Sequence, residues 1–332
     1  MPHPLNFSGI IPVEFSTQII EEAIQQSAAL QLGQRLPMGT RITDLPIPQT
    51  LPTATWTGVP PNTGEKTGLP KTWTDVMLTT QSVKAEEVAA VTAIPDAYLE
   101  DSEINIWSWV RPRLAEAIAI ALDNAVFYGL NCPASFPTGG LMSNNYSDTV
   151  DPDDCIDAVD AVNKAMGLVE AKGVGVNGHA SDLLGKSMFR GVRDANGALL
   201  LGEGQVNNQQ RPTLYGLPIA YNPWSQVTTA DFITGGWQNL VIGVRQDIRY
   251  NLDPSGVIIN PSTGAVIVSG FQHNTTPLKV WARFGVTIVK PVTPRISAGA
   301  LPFAKVRLAG ITGGAPLEGE GASSGGSRSA KK

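Results

Sequence analysis

A glycine-rich motif in the chain has the spacing of a nucleotide-binding site. Residues 173–178, GVGVNG, match G-x-G-x-x-G, in which a tight turn after a β-strand brings backbone N–H groups to a pyrophosphate. Here the motif follows a helical pattern instead of a strand, and no helix start comes directly after it. We therefore interpret it as a glycine-rich helix end and turn, and keep a nucleotide-dependent oxidoreductase as a remote alternative.

Three closely spaced carboxylates, Asp151, Asp153 and Asp154, resemble ligands of a hard cation. They lack the later glycine and glutamate of a calcium-binding loop. Acidic residues also stabilise the N-terminus of a helix by facing its positive end. We interpret the three as the charged start of a helix that Gly173 ends.

The remaining residues capable of chemistry are isolated in sequence. His3, His179 and His273 form no H-E-x-x-H pattern, and we expect each on the surface or in a loop. Cys132 and Cys155 form no C-x-x-C or zinc-type pair, so we expect ordinary thiols. No phosphate loop of the form G-x-x-x-x-G-K-[ST] occurs. We predict no catalytic, cofactor-binding or metal-binding residues, and a chain that is not an enzyme.

Composition favours a protein that associates with itself. Of 332 residues only 16% are charged, which indicates that much of the surface is covered by something other than water. The net charge of -5 disfavours binding to nucleic acid phosphates, although it suits the wall of a DNA container. The N-terminus lacks the pattern of a signal peptide, and no run of about 20 apolar residues predicts a membrane span. We expect a cytoplasmic protein without membrane contact.

The elements around these residues include a segment that has nothing of its own to bury it. Residues 42–82 read as two extended arms joined by a Gly/Pro/Thr-rich tip. Pro46, Pro48 and Pro52 remove backbone donors, so the first arm can pair only at an edge or through its unblocked side. A two-stranded ribbon alone in water is marginally stable. We therefore predict an arm that projects onto another subunit, with Trp56 and Trp73 as its contact rings.

Helical and strand patterns alternate along the rest of the chain. A helix is predicted from about Pro12 to Gly33, after an extended N-terminal arm. The longest helical pattern ends at Gly129, and Pro112 within it predicts a kink or a break. Its predicted apolar face is formed by Leu114, Ile118, Ala121, Leu122 and Ala125. Ser102 is the predicted cap of this helix.

The second half of the chain predicts mainly strands. Residues 277–291 show the clearest alternation of apolar and polar residues. By composition, residues 313–332 are a flexible tail. The chain contains no internal repeat.

In this order of elements, the chain resembles the major capsid proteins of tailed double-stranded-DNA bacteriophages, whose fold is shared with encapsulins. The resemblance covers nearly all of residues 11–309. The segments that carry it are IPVEFSTQIIEEAIQQSAALQL, AAVTAIPDAYLEDSEINIWSWVRPRLAEAIAIALDNAVFYG, TLYGLPIAYNPW, LVIGVRQDIRYNLD and PLKVWARFGVTIVKPVTPRISAGALPFAKVRLA.

The resemblance implies an α+β capsid fold with an N-terminal arm, an extended β-hairpin loop, a peripheral domain with a long spine helix, and an inserted axial domain. The implied segments are an N-terminal arm and helix (1–41), the extended loop (42–82), the peripheral domain (83–150), the axial domain (151–265), returning peripheral strands (266–312) and the tail (313–332).

The implied function is that of a major capsid protein that self-assembles into an icosahedral head around packaged double-stranded DNA. Its implied partners are further copies of itself in pentamers and hexamers, a portal, and in some heads decoration proteins. The opening segment begins near Ile11, so we expect a separate or removed scaffold. Some relatives crosslink a loop lysine; Lys66 and Lys71 lie in that region but match no motif. An encapsulin-type shell is the alternative.

Overall fold

The structure is a computed structural model, and the parts of the chain that it describes are residues 27–54, 56–57, 71, 73–97, 106–193, 213–222, 231–260 and 262–311. The predictions for the N-terminal arm, His3, the Ser102 cap, Lys66 and the tail lie outside these residues.

Five α-helices lie in the described parts. They are α1 (Ala28–Leu32), α2 (Ile106–Asp123), α3 (Ala158–Ala171), α4 (Leu183–Gly191) and α5 (Gly270–His273). A π-helical turn, Asn124–Tyr128, continues α2.

Fourteen strands alternate with these helices. They are β1 (Gln34–Pro37), β2 (Ile42–Pro48), β3 (Leu78–Lys84), β4 (Glu86–Pro95), β5 (Ser147–Thr149), β6 (Gly178–Asp182), β7 (Thr213–Leu214), β8 (Leu217–Asn222), β9 (Asp231–Gly235), β10 (Leu240–Leu252), β11 (Val257–Ile259), β12 (Val266–Ser269), β13 (Thr275–Ile288) and β14 (Phe303–Arg307).

The strands form two larger sheets and two ribbons. A six-stranded sheet has the order β5-β14-β9-β6-β8-β7, and a four-stranded sheet has the order β1-β10-β13-β4. The ribbons are β2-β3 and β11-β12. Strands β10 and β13 pair antiparallel from Leu240–Ile288 to Leu252–Leu278, with two irregularities in β10. Because of these two strands, the four-stranded sheet has longer strands than the six-stranded sheet.

The central strands β9 and β6 of the six-stranded sheet are buried on both faces. In β9, Phe232 belongs to a cluster formed with α3 and α4, whereas the next residue, Ile233, belongs to a cluster formed with α2. Successive strand residues point to opposite faces, so both neighbours can be apolar only because both faces are covered. All five residues of β9 are buried as a result.

The prediction of a long α2 ending at Gly129 is confirmed. The helix passes through Pro112 without interruption, so the predicted break is wrong. Gly129 has φ 64°, a conformation that favours glycine, and ends the π-helical turn. The predicted apolar face is buried at Leu114, Ile118, Leu122 and Ala125. Ala121 was also predicted on this face, but it is exposed.

The prediction that Asp151 starts α3 is wrong. The Asp151 carboxylate accepts a hydrogen bond from Asp153 N at 3.1 Å, but this caps a separate 3-10 turn, Pro152–Asp154. The chain is extended at Cys155. Asp157 then caps α3 by accepting from Asp160 N at 2.7 Å. Two capping patterns follow one another here, and the second begins the helix.

Two strands connect the segments predicted as domains. Strand β10 falls within residues 151–265, predicted as axial, but pairs with β13 and β1. Strand β14 falls within 266–312, predicted as peripheral, but pairs with β9 and β5. The predicted domain boundaries therefore do not coincide with sheet membership, and they stay a prediction.

Asp123, at the end of α2, ties this helix to α1. Its Oδ1 accepts from Ser27 Oγ at 2.6 Å and Ala29 N at 3.1 Å, and its Oδ2 accepts from Ala28 N at 2.9 Å. The first N–H groups of a helix have no partner within the helix, so the carboxylate acts as a cap from a distant part of the chain. Burial raises the pKa of Asp123 to about 6, and the three hydrogen bonds act in the opposite direction.

We expect Asp123→Ala to lower the free energy of unfolding by about 3 kcal/mol, because it leaves buried donors without an acceptor. The matched control is Ser27→Ala, which leaves the carboxylate bonded to both backbone N–H groups and should cost about 1 kcal/mol. Urea unfolding of the dispersed subunit at pH 7 measures both. Equal losses in the two variants would contradict the capping role.

Candidate assembly surface

The glycine-rich motif lies between α3 and β6, so it follows a helix as predicted. Gly173 has φ 78° and lies after the last turn of α3. Gly178 begins β6, and a Cβ atom there would lie 3.0 Å from Trp237 Cδ1. The glycines at the two ends of the motif thus serve a helix end and a close approach between backbone and indole. This confirms the interpretation of the motif as a helix end and turn.

Asp151, Asp153 and Asp154 lie in or beside one 3-10 turn, and Cys155 follows it directly. Within the described ranges, no group of three or more His, Cys, Asp or Glu side chains is placed to hold a metal ion. Cys132 and Cys155 are both free thiols. Burial raises the pKa of the Cys155 thiol, which keeps it protonated.

His179 is completely buried in β6, so the expectation of a surface or loop position is wrong for this histidine. A carbonyl can only accept, so His179 Nε2–H donates to Leu214 O at 3.2 Å. Nδ1 then accepts from the Thr234 hydroxyl at 2.9 Å. Burial lowers the pKa of His179 to about 4, and the ring is neutral at pH 7. His273 is exposed, as expected.

The base of the ribbon β2-β3 is anchored to the four-stranded sheet. Val83 is fully buried and forms a small cluster with Met38 and Ala85. Two glycines make room for this cluster. A Cβ atom at Gly285 of β13 would lie 2.8 Å from Val83 Cγ1, and one at Gly243 of β10 would lie 2.3 Å from Met38 Sδ.

Polar contacts hold the same base. Gln81 Nε2 donates to Thr287 Oγ1 at 2.6 Å and to Ile288 O at 3.1 Å. Glu86 pairs with Arg41 at 3.2 Å and with Lys84 at 2.9 Å. The hydrogen bond from Lys84 is the largest cause that lowers the pKa of Glu86. These pairs are partly exposed, and each contributes little to stability.

Beyond this base the ribbon continues outward by its own pairing. Gln49 N donates to Met77 O at 2.7 Å, and Thr74 Oγ1 donates to Thr53 O at 2.9 Å. The backbone groups of a strand alternate in direction, and Gln49 N points toward β3. The positions of Pro46 and Pro48 therefore face the outer edge of β2, where proline offers no N–H. The prediction that the first arm pairs through its unblocked side is confirmed.

Large apolar side chains of the ribbon are open to solvent. Trp56 is 94% exposed and Trp73 is 85% exposed. Val76, Met77 and Leu78 are each at least half exposed. Exposed apolar surface that is contiguous marks a site of interaction. The ribbon is therefore a candidate contact surface for another molecule.

A second apolar surface lies on β11-β12 and the short helix after it. Its exposed members are Val257, Ile259, Val266, Ile267 and Phe271. A two-stranded ribbon cannot cover both of its own faces. The two ribbons thus give the chain two projecting apolar surfaces, which is typical of a protein that works in an assembly.

The comparison with protein-family models identifies the family of the chain. The model of the phage capsid family matches residues 8–292. The chain belongs to the phage capsid family. The capsid fold predicted from the sequence is confirmed at the level of family and architecture.

Individual relatives agree with this assignment. The chain is 25% identical over 291 residues to "Probable major capsid protein gp17" of Mycobacterium phage L5, covering 84% of this chain and 86% of that protein. A solved structure described as Microbacterium phage Oxtober96 is similar with TM-score 0.67 and 23% identity, covering 92% of this chain and 95% of that one. Another, Mycobacterium phage Cain, has TM-score 0.65 and 26% identity, covering 85% and 90%.

This capsid chain is a structural shell protein, a major capsid protein of the tailed-phage type, and the matches favour that function over the oxidoreductase and the encapsulin. Its place is in the virion. Among the described helices of the capsid chain, none has both the length and the apolar character needed to cross a bilayer.

The sequence of the capsid chain predicted the tryptophans of the ribbon as contact residues, but it did not predict the residues that anchor the ribbon. Gly243 and Gly285 lie in β10 and β13, far from Val83 in sequence. Glycine inside a strand pattern often marks a close approach of another segment. That signal was present at both positions, although it does not say which segment approaches.

We expect the stability of the dispersed capsid chain to depend on pH through His179. Between pH 6.5 and about 4 the unfolded chain takes up a proton at this ring and the folded chain does not, so stability falls as pH falls. Fully developed, the loss is about 3 kcal/mol. Asp123 contributes in the opposite sense, because its raised pKa lets the folded chain bind the proton first.

Comparison with His179→Gln isolates the histidine, because Asp123 is present in both proteins. Urea unfolding at pH 7 and pH 4.5 should show a smaller loss on acidification in the variant than in the parent. The same loss in both proteins would contradict the assignment.

We expect Trp56→Ala and Trp73→Ala to change the free energy of unfolding of the dispersed capsid chain by less than about 0.5 kcal/mol, because both rings are exposed. A matched buried control is Trp237→Ala, which should cost about 3–5 kcal/mol. A loss of more than 1 kcal/mol from either ribbon tryptophan would show a contact within the subunit instead.

Proposed function

We propose that the chain self-assembles into the closed icosahedral head of a tailed phage, around packaged double-stranded DNA. In this proposal the copies gather in pentamers and hexamers, and the ribbon β2-β3 of each copy lies across a neighbour. Assembly takes place in the cytoplasm of the host bacterium. The chain catalyses no reaction and binds no cofactor or metal in this role.

The observation that carries the proposal is the exposure of Trp56 and Trp73 on a ribbon whose base is firmly anchored. An aromatic side chain removes about 150–250 Å² from water when it is covered. At roughly 25 cal/mol per Å², each ring gives several kcal/mol of contact energy before the costs of association. Because many copies repeat the contact, even a moderate contact stabilises a closed shell.

The charge of the chain suits the inner wall of a DNA container. A net charge of -5 gives no general attraction to phosphates, so packaged DNA is enclosed without being bound. This supports a role without sequence-specific recognition of DNA. The same lack of attraction allows the packaged DNA to exit the head.

The inserted axial segment is proposed to face the five-fold and six-fold axes. Leu183 and Leu184 at the start of α4 are about half exposed, and so is Tyr215 in the turn between β7 and β8. They lie within residues 151–265, the predicted axial domain. The predicted partners at other positions are a scaffold protein, a portal and decoration proteins.

We expect deletion of residues 58–68 to leave the subunit folded and to block assembly, because the deletion shortens the part of the ribbon that reaches a neighbour. The matched control replaces the same residues with an equal length of Gly and Ser, which keeps the reach and removes the side chains. Circular dichroism and light scattering measure folding and particle formation. Normal particles from the deletion variant would contradict the proposal.

We expect residues 42–82 to be protected from hydrogen exchange in the particle and much less so in the dispersed subunit, since a neighbour covers them only after assembly. The internal reference is β9, which is buried within the subunit and should exchange slowly in both states. Equal protection of residues 42–82 in the subunit and in the particle would contradict an arm that lies across a neighbouring subunit.

A further inference from the structure

Strand β4 is a long outer strand with an open edge. It pairs with β13 on one side over ten residues, Glu86–Pro95, without a bulge. Its other side has no partner strand among the described residues. Long edges with a regular register are templates for a further strand.

The register shows which backbone groups face that edge. Asp96 N donates to Asn274 O at 3.0 Å. At this end of β4, the backbone N–H and C=O groups of the even-numbered residues therefore point toward β13. Ala93 lies opposite Pro277, which has no N–H to offer. Because direction alternates along a strand, the N–H and C=O groups of the odd-numbered residues point outward. These are Glu87, Ala89, Val91 and Ala93.

Four other edge strands among the described residues carry features that disfavour pairing, whereas β4 does not. Edge strand β1 has four residues and ends in Pro37. Strand β2 has prolines on its outer edge, and β5 and β7 have three and two residues. In β4, the run Val88–Ile94 contains no charge and no proline. An edge left in this state needs a partner.

We propose that β4 pairs with β4 of a second copy of this chain, antiparallel and across a two-fold axis at Ala90, so that two four-stranded sheets become one. With this axis Glu87 lies opposite Ala93 of the second copy, and Ala89 lies opposite Val91. All four outward residues then find an outward partner, which gives about eight backbone hydrogen bonds. A two-fold axis at Val91 instead would place Glu87 opposite Pro95, which has no N–H.

Charge selects the antiparallel arrangement with the same edge of a second copy. A parallel pairing would set Glu86 and Glu87 beside the same residues of the other chain, and like charges opposite each other are unfavourable. The antiparallel pairing sets them beside Ala93 and Ile94. It also brings Asp96, at one end of the edge, toward Lys84 at the other end of the second copy.

Side-chain size and exposure agree with this contact. Val91 is 51% exposed, and the residues around the axis, Ala89 and Ala90, are small. Small side chains let two edges approach to hydrogen-bonding distance. A two-fold contact is isologous, so each residue meets the same patch on its partner.

The inference rests on the proposed shell, and an engineered cysteine tests it separately. In the full chain, Ala90→Cys places two thiols opposite each other at the axis, in a pair that exchanges no hydrogen bonds and whose Cα atoms are about 4.5 Å apart. Ala93→Cys is the matched control, because residue 93 lies opposite residue 87 and far from residue 93 of the second copy. Cys132 and Cys155 are present in both.

After mild oxidation of assembled particles, we expect most Ala90→Cys chains to run as covalent dimers on a non-reducing gel, and Ala93→Cys chains to run as monomers. Normal particles in which Ala90→Cys stays monomeric would overturn the β4 contact and leave the shell intact. Equal dimerisation of both variants would overturn the register. If wild-type chains form no particles at all, the proposed shell itself fails.

A charge pair tests the contact if the cysteine variant does not assemble. Val91→Lys places two ammonium groups near the axis, and Val91→Glu places two carboxylates there. Each alone should lower particle yield by about tenfold or more, since a weakened contact is repeated throughout the shell, and a mixture of the two should restore it. Wild-type yield from Val91→Lys alone, or no recovery in the mixture, would overturn the proposal.

Discussion

A ribbon of two strands has no second layer of its own, and this constraint organises the rest of the molecule. The chain extends β2 and β3 away from its body and places Trp56 and Trp73 where no described residue covers them. Such an element is stable only if its base is fixed and its outer part is covered by another molecule. The base is fixed by Val83, which fits against the sheet because Gly243 and Gly285 have no side chains. In the proposed shell, a neighbouring copy supplies this cover.

The body is built to hold that base in one position. One cluster of buried residues joins helix α2, the long four-stranded sheet and the six-stranded sheet. Asp123 links the end of α2 to the start of α1, and α1 leads directly into β1 at the edge of the four-stranded sheet. A contact made by the ribbon is therefore connected through its anchored base to the buried core. Order in the free subunit favours the proposed shell, because segments that become ordered on association lose entropy.

Local sequence signals predicted the ribbon and α2, and long-range contacts were beyond them. The prediction of one helix from about Pro12 to Gly33 is wrong at Ser27, which is extended and caps α1. Proline placement and the glycine-rich tip predicted the ribbon, and helical periodicity with Gly129 predicted α2. The start of α3 was misplaced because Asp151 and Asp157 both have capping patterns, and only the extended chain at Cys155 separates them. The burial of His179 and the capping by Asp123 depend on partners 35 to 96 residues away, which no local pattern encodes.

Electron cryomicroscopy of the purified native particle tests the central claim most directly. The account predicts a closed icosahedral shell in which Trp56 and Trp73 of each copy are covered by a neighbouring copy. A shell in which the ribbons project into solvent would contradict the account of the ribbon. A small discrete oligomer from a preparation competent for assembly would contradict the shell itself.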